Sequence, residues 1–317
     1  MTLRPERVGV LVMSYGTPES MEGIKEYYTH IRRGNPPSEE QLRQLTRRYE
    51  AIVGGVFPLR QNTDRQVQAL QEELDRHGGG VEYRCFQGLK HARPFIEDGV
   101  AAMAEAGFTN AVGIVLAPHY SAMSVGGYIS RARAKAEELG IDMRFVKSYH
   151  DHPLLIEALS ERVRDTLARF GPDAAGVRVI FSAHSLPAGI LEMNDPYPDQ
   201  LMETSRLVAE RAGVTDWQFA WQSAGQTAVP WLGPDILDVL ETIRREEGVD
   251  KVLICPLGFV SDHLEVLYDI DIECRQLAER LGMRLERTPM LNTDPKYMAL
   301  LAECIRLAAP VREERRI

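Results

Sequence analysis

Four of the eight histidines occupy the same kind of position. His91, His119, His184 and His263 each follow an apolar, β-branched run at the point where it gives way to a polar loop. One histidine at a strand end is most often structural. Four at matching ends line one rim with imidazoles, groups that exchange protons near neutral pH and bind metals. Downstream of His263, Glu265, Asp269 and Glu273 recur at i, i+4 and i+8, so a helix there carries three carboxylates on one face. Hard oxygen donors in a row suit a divalent cation. Two plainer readings stand beside that one. The row could be a solvated acidic face, or Asp262-His263-Leu264-Glu265 could be a capping box in which Glu265 only starts the helix.

A second feature is a local reversal of charge. The 317-residue chain has 37 basic and 46 acidic residues and a net charge of −9, which argues against a nucleic-acid partner. Residues 25–60 run the other way, with seven basic groups (Lys25, Arg32, Arg33, Arg43, Arg47, Arg48, Arg60) against four acidic ones. That stretch carries +3 and the rest of the chain −12. It also holds Tyr27, Tyr28, Tyr49 and Phe57. Arginines beside aromatic rings suit a large, flat, anionic ligand, because guanidinium groups pair carboxylates bidentately and stack on rings. A solvated helix face accounts for Arg43 and Arg60 equally well.

Other chemistries leave no trace. No GxGxxG follows a strand, no Walker lysine loop is present, and Ser182 and Ser185 flank His184 without a nucleophile-elbow pattern. Cys85, Cys255, Cys274 and Cys304 form no CxxC pair and match no zinc or iron–sulfur spacing, in keeping with small core residues and a cytoplasmic address. No apolar run reaches the roughly 20 residues of a membrane helix. The short apolar stretch from Val8 reads as a first strand rather than a signal peptide.

The elements that must position these residues alternate along the chain. Strand-like runs at 8–14, 81–87, 111–116, 177–182, 217–222 and 251–256, with shorter ones near 143–146 and 283–287, are separated by helical stretches. Among these is one opened by a Ser38-Glu39-Glu40-Gln41 box and one over 263–281. This alternation predicts an α/β fold with parallel sheets flanked by helices. Eight strands could close a barrel. Two sheets of about four strands fit better, because the strand–loop–helix pattern of 114–128 recurs at 253–268. The expected division is an N-terminal domain over 1–150, holding the 15–60 segment, and a C-terminal domain over 151–317. The last helix, 294–309, would be placed to pack back on the first. In such sheets ligands bind beyond the carboxyl ends of the strands, where the four histidines stand.

The strings MSYGTP (13–18), YYTHIRRG (27–34), GLKH (88–91), VLAPHYS (115–121), SAHSLP (182–187), DPYPDQL (195–201), WQS (221–223), WLGPD (231–235) and GFVSDHLEVLYDIDIEC (258–274) resemble, in order, those of the ferrochelatases. The closest likeness is to the soluble Gram-positive type that works on coproporphyrin III. The resemblance implies two Rossmann-like domains with a cleft between them, and Fe²⁺ inserted as substrate with no organic cofactor. It makes His184 the metal-side histidine, which takes a pyrrole proton or holds the incoming Fe²⁺, and Glu265 its acidic partner at the same metal. Tyr15 matches the tyrosine on the opposite porphyrin face, and Arg32, Arg48, Tyr49 and Tyr128 match porphyrin contacts. Asp269 and Glu273 match outer acidic positions read as a cation path or a second hydrated-metal site, with Mg²⁺ as the candidate ion. The family's GGxSPL serine is Phe57 here, so one substrate hydrogen bond would be exchanged for ring stacking. Some relatives hold a [2Fe–2S] cluster on clustered C-terminal cysteines; with Cys304 alone near the end, none is expected. The expected protein is a monomer without stable membrane insertion, in transient contact with neighbouring enzymes of the haem pathway. Protoporphyrin IX as the substrate, and a non-catalytic haem or metal carrier, are the alternatives; a sirohydrochlorin chelatase is less favoured.

Overall fold

A computed structural model describes residues 6–53, 57–77, 79–225 and 227–309. Gly54 to Val56, which precede Phe57 in the GGxSPL-like segment, lie outside the described residues, as does Gly78. The chain divides into two compact units. The first takes residues up to Arg43, Leu59–Tyr149 and those from Thr293 onward; the second takes Gln44–Pro58 and His150–Asn292.

Each unit is built on one four-stranded, all-parallel sheet. In the first, β1 (Arg7–Ser14), β2 (Glu82–Leu89), β3 (Asn110–Val115) and β4 (Asp142–Val146) lie in the order β2-β1-β3-β4. In the second, β5 (Arg178–His184), β6 (Trp217–Gln222), β7 (Lys251–Cys255) and β8 (Arg284–Arg287) repeat that order as β6-β5-β7-β8. The barrel is therefore excluded. The first strand of each unit is central, buried on both faces, and reads accordingly as a continuous apolar run: VGVLVM in β1 and VIF in β5.

The helices are α1 (Ile24–Ile31), α2 (Glu39–Val53), α3 (Pro58–His77), α4 (Ile96–Glu105), α5 (Val125–Glu138), α6 (Pro153–Ala168), α7 (Tyr197–Ala212), α8 (Ile236–Glu246), α9 (Arg275–Leu281) and α10 (Pro295–Ala308). The Ser38 box forms: Gln41 N–H donates to Ser38 Oγ at 3.2 Å and Ser38 N–H donates to Gln41 Oε1 at 3.0 Å. Asp235 and Asp294 cap α8 and α10 by accepting backbone N–H groups of the first turn. Helix α10 packs on β3 and β4 of the first unit. Tyr149 Oη donates to the Val115 carbonyl at 3.1 Å, so the 2.9 Å contact with Tyr297 of α10 has the Tyr297 hydroxyl as donor.

The helical prediction over 263–281 needs revision. Glu265–Cys274 is a π-helix, and only Arg275–Leu281 continues as an α-helix. The Arg275 N–H reaches the Ile270 carbonyl, an i→i+5 bond. Such segments are rare and need support from outside their own backbone; that support comes from β6, described below.

Helix–sheet packing in the first unit depends on Gly99 in α4. A Cβ there would stand 2.5 Å from the Gln87 carbonyl oxygen and 2.7 Å from Leu11 Cδ1. Backbone and a fully buried leucine give way poorly. Gly99→Ala should therefore cost about 1–3 kcal/mol through overpacking, more than the gain in helix propensity returns. A lower urea midpoint measures this; an unchanged or higher one would contradict it.

Candidate active site

In the second unit the chain leaves β5 toward β6 on one side and comes back to β7 on the other. The carboxyl ends of β5 and β7 thus form the switch point at which open parallel sheets bind ligands. β7 pairs with β5 only as far as Phe181–Cys255, while β5 continues beside β6 through His184–Gln222. His184 is carried past the end of its β7 neighbour. The chain leaving β7 passes so close that a Cβ on Gly258 would stand 2.3 Å from Ala183 Cβ. Gly258 N–H donates to the Ser182 carbonyl at 3.1 Å. That approach brings the 259–265 turn alongside His184.

The result is a pair: His184 Nδ1 lies 3.0 Å from Glu265 Oε2. An ionised carboxylate only accepts, so Nδ1 carries the proton and Nε2 is left for chemistry. About a third of each side chain is exposed (33% and 31%). Burial works against the imidazolium, but the charge and hydrogen bond of Glu265 outweigh it and raise the His184 pKa above its ordinary value. Burial likewise opposes ionisation of Glu265, yet His184 first and His263 second hold its carboxyl well below the usual range.

His263 completes the group. Its Nδ1 donates to the Ser261 carbonyl at 2.9 Å, which turns Nε2 toward Glu265 Oε2 at 3.8 Å. That separation is too long for a hydrogen bond and fits two ligands of one metal ion at about 2.1 Å each. The sequence placed His263 on the rim without giving it a role. The capping-box reading of Glu265 is not realised: Leu264 stands at the cap position with no side-chain cap bond, and the Glu265 carboxylate faces His184.

Buried polar groups fix this geometry. Ser182 Oγ donates to Gln222 Oε1 at 2.8 Å, which orients the amide so that Gln222 Nε2 donates to the Glu265 carbonyl at 3.1 Å. The next residue, Ser223, sits in the left-handed region at φ 60° and hydrogen-bonds Asp269 through Oγ. The end of β6 therefore holds the π-helix at two points, residues 265 and 269. Tyr197 Oη donates to the His184 carbonyl at 3.0 Å, and the Trp231 ring stands edge-on to the imidazole at 6.3 Å. Ser182 and Gln222, polar residues near the carboxyl ends of β5 and β6, are both fully buried.

The remaining acidic residues behave differently from one another. Asp269 is buried and forms an ion pair with Arg48, whose guanidinium also lies 4.5 Å over the Tyr268 ring. Glu273 is half-buried, and burial raises its pKa against the opposing charge of Arg48. Among the described residues no group of three or more His, Cys, Asp or Glu is arranged to hold a metal ion. Tyr49 and Phe57, both buried, pack ring to ring at 5.0 Å.

In the first unit, Tyr15 follows β1 and is 42% exposed, with its ring 4.6 Å from that of His91. His91 Nδ1 meets His30 Nδ1 at 3.1 Å. Burial, then the charges of Lys90, His30 and Arg131, push the His91 pKa down to about 3, so this imidazole is neutral. Lys90 Nζ lies 4.9 Å over the buried Tyr128 ring. Arg32 donates to the Asn35 carbonyl at 3.2 Å and stands 5.8 Å from the Tyr28 ring. His119, the remaining strand-end histidine, is buried; His91 and His119 belong to the first unit and His184 and His263 to the second, so the four expected on one rim divide between two sheets.

Two like sheets, each with its first strand central, and a histidine–carboxylate pair at the switch point of one of them define a chelatase-type α/β protein. The solved structure of SirB from Bacillus subtilis with Fe³⁺ shares this fold at a TM-score of 0.60, with 13% identity over 96% of both chains. A ferrochelatase family model matches residues 7–309, and the chain belongs to the ferrochelatase family. It is 46% identical to the coproporphyrin III ferrochelatase of Halalkalibacterium halodurans over 95% of this chain and 96% of that one. To the coproporphyrin III ferrochelatase of Bacillus subtilis it is 45% identical over 95% and 97%.

Proposed function

We propose that this protein inserts Fe²⁺ into coproporphyrin III, making it a lyase of haem biosynthesis. The observation that carries the chemistry is the His184–Glu265 pair at 3.0 Å, with His263 Nε2 beside the same carboxylate oxygen. Two pyrrole protons must leave the macrocycle and the iron must shed water. His184 Nε2 takes the two protons in turn as general base, releasing the first to solvent before it accepts the second, and the carboxylate at Nδ1 stabilises the imidazolium that forms each time. His263 Nε2 and Glu265 Oε2 receive the incoming iron. Gln222 and Ser182 hold both steps to one geometry through the Glu265 backbone.

The relatives named for coproporphyrin III support that substrate, and Arg32 adds a physical reason. Its guanidinium has no carboxylate partner among the described residues, which leaves it to pair with a propionate. Tyr15, Arg48, Tyr49, Phe57 and Tyr128 belong to the same proposal as porphyrin contacts. Arg48 pairs Asp269, so as a porphyrin contact it would exchange that partner for substrate. Mg²⁺ at Asp269 and Glu273 would likewise displace the Arg48 pair. The proposed compartment is the cytoplasm and the proposed state a monomer that contacts its pathway neighbours transiently. All four cysteines are free, and among the described residues no helix is long and apolar enough to cross a membrane.

The test is anaerobic turnover of the purified chain with Fe²⁺ and either coproporphyrin III or protoporphyrin IX, followed by loss of porphyrin fluorescence. Faster conversion of coproporphyrin III is expected. Binding without turnover would make the protein a carrier, and preference for protoporphyrin IX would overturn the substrate. Arg32→Ala should raise KM for the four-carboxylate porphyrin by about tenfold, the value of one charge-assisted hydrogen bond. The two-carboxylate porphyrin should be affected less, and an equal effect on both would remove Arg32 from specificity.

A further inference from the structure

Behind the metal-side groups lies a second polar cluster that the proposed chemistry does not use. Arg287 ends β8 and is only 13% exposed. Its Nε and Nη2 donate to the two carboxylate oxygens of Asp271 at 2.7 and 2.8 Å, a bidentate fork. Nη2 also reaches Asp262 Oδ1 at 3.4 Å, and Nη1 donates to the Thr288 carbonyl at 2.9 Å. Asp262 is gripped from the other side by Asn292, which donates from Nδ2 to Oδ2 at 2.8 Å and accepts the Asp262 N–H on Oδ1 at 3.0 Å. Asn292 takes the left-handed region, φ 45°, to do so.

The two aspartates belong to two different pieces of the site. Asp262 precedes His263 in the turn from β7, whereas Asp271 lies on the π-helix that Glu265 begins. Without a shared cation their carboxylates would repel and the turn would part from the helix. We infer that Arg287 is a positioning residue for the metal-side groups: by binding Asp271 and Asp262 together, it clamps the turn that carries His263 onto the π-helix that carries Glu265. Planarity matters as well as charge, since a guanidinium can hold one carboxylate with two donors while the same nitrogen reaches the other. A lysine offers a point charge and keeps only part of the grip. The 3.8 Å spacing of His263 Nε2 and Glu265 Oε2 depends on this clamp.

The inference rests on the proposed chelatase reading for its catalytic consequence, but the clamp itself can be read without turnover. In the full chain, Arg287→Lys should speed hydrogen exchange of the 260–266 amides while those of β5 stay protected. It should also lower kcat by about tenfold to a hundredfold, the range for a small misplacement of catalytic groups, with the porphyrin KM unchanged. If exchange and kcat both stay at the wild-type values, or if the porphyrin KM rises in step with the loss of kcat, the inference fails. Should Arg287→Lys not fold, Asp271→Asn weakens the Arg287 fork alone and leaves the Asn292 grip on Asp262 intact. Faster exchange at 260–266 in that variant supports the clamp, and unchanged exchange overturns it. A wild-type chain with no chelatase activity would defeat the functional reading separately, because the exchange result stands by itself.

Discussion

Replacing His184 with alanine should lower iron insertion by about a hundredfold to ten-thousandfold, the usual contribution of a positioned general base, and leave porphyrin binding intact. The loss is large because no neighbour can substitute. His263 Nε2 is turned toward Glu265 Oε2, where it is assigned to the metal, and Glu265, with its pKa held down, is a weak base. The residue is held at three points, its Nδ1 by Glu265, its backbone carbonyl by Tyr197 and its ring edge-on by Trp231, so Nε2 meets its proton without a search. Single-turnover kinetics beside a fluorescence titration of the porphyrin would separate the two effects. Turnover near the wild-type rate in His184→Ala would refute the assignment, and equal losses of binding and rate would make the residue a porphyrin contact instead.

The second large effect is on pH dependence. Because Glu265 raises the His184 pKa, the base form needed for insertion appears only as pH climbs through a midpoint above the ordinary 6.5. In Glu265→Gln the carboxylate is gone and burial remains, so the acid limb of the kcat profile should move to lower pH, below 6.5. Folding stability should respond in the same variant. The raised His184 contributes stability that is complete below its unfolded pKa near 6.5 and is lost as pH rises through the folded value. The lowered Glu265 contributes stability that is complete above its unfolded pKa near 4.5 and is lost as pH falls through its folded value. Both are fully present between about 4.5 and 6.5, where Glu265→Gln should cost about 1 kcal/mol, discounted because a third of each side chain meets solvent. Thermal midpoints measured across pH 4–8 check this. An acid limb that stays in place would mean that His184 is not the group whose ionisation limits the reaction.

Much of the fold was legible along the chain because its signals are local. Central strands buried on both faces appear as unbroken apolar runs, and VGVLVM and VIF needed no partner to be recognised. The Ser38 box and the placement of histidines where those runs end are local as well. The family strings carried the rest of the identification. What stayed hidden is the pairing of distant groups. From periodicity Asp269 looks like the middle rung of a cation ladder. The fold instead gives it to Arg48, 221 residues away, and to Ser223.

By itself, then, the sequence determined the two parallel sheets, the strand-end histidines and the acidic register of 265, 269 and 273. Those follow from backbone period and side-chain burial, which neighbouring residues dictate. Tertiary structure decided which imidazole meets which carboxylate. β5 outruns β7, and the close passage at Gly258 brings Glu265 to His184 from 81 residues away. It also decided that residues 265–274 wind as a π-helix. The side chains alone suit an ordinary helix, and the wider turn is held by Gln222 and Ser223 at the end of β6 and by Arg287 at the end of β8. Hydrogen bonds from other strands can stabilise a backbone form that local propensity disfavours, and no local pattern records where those strands will stand.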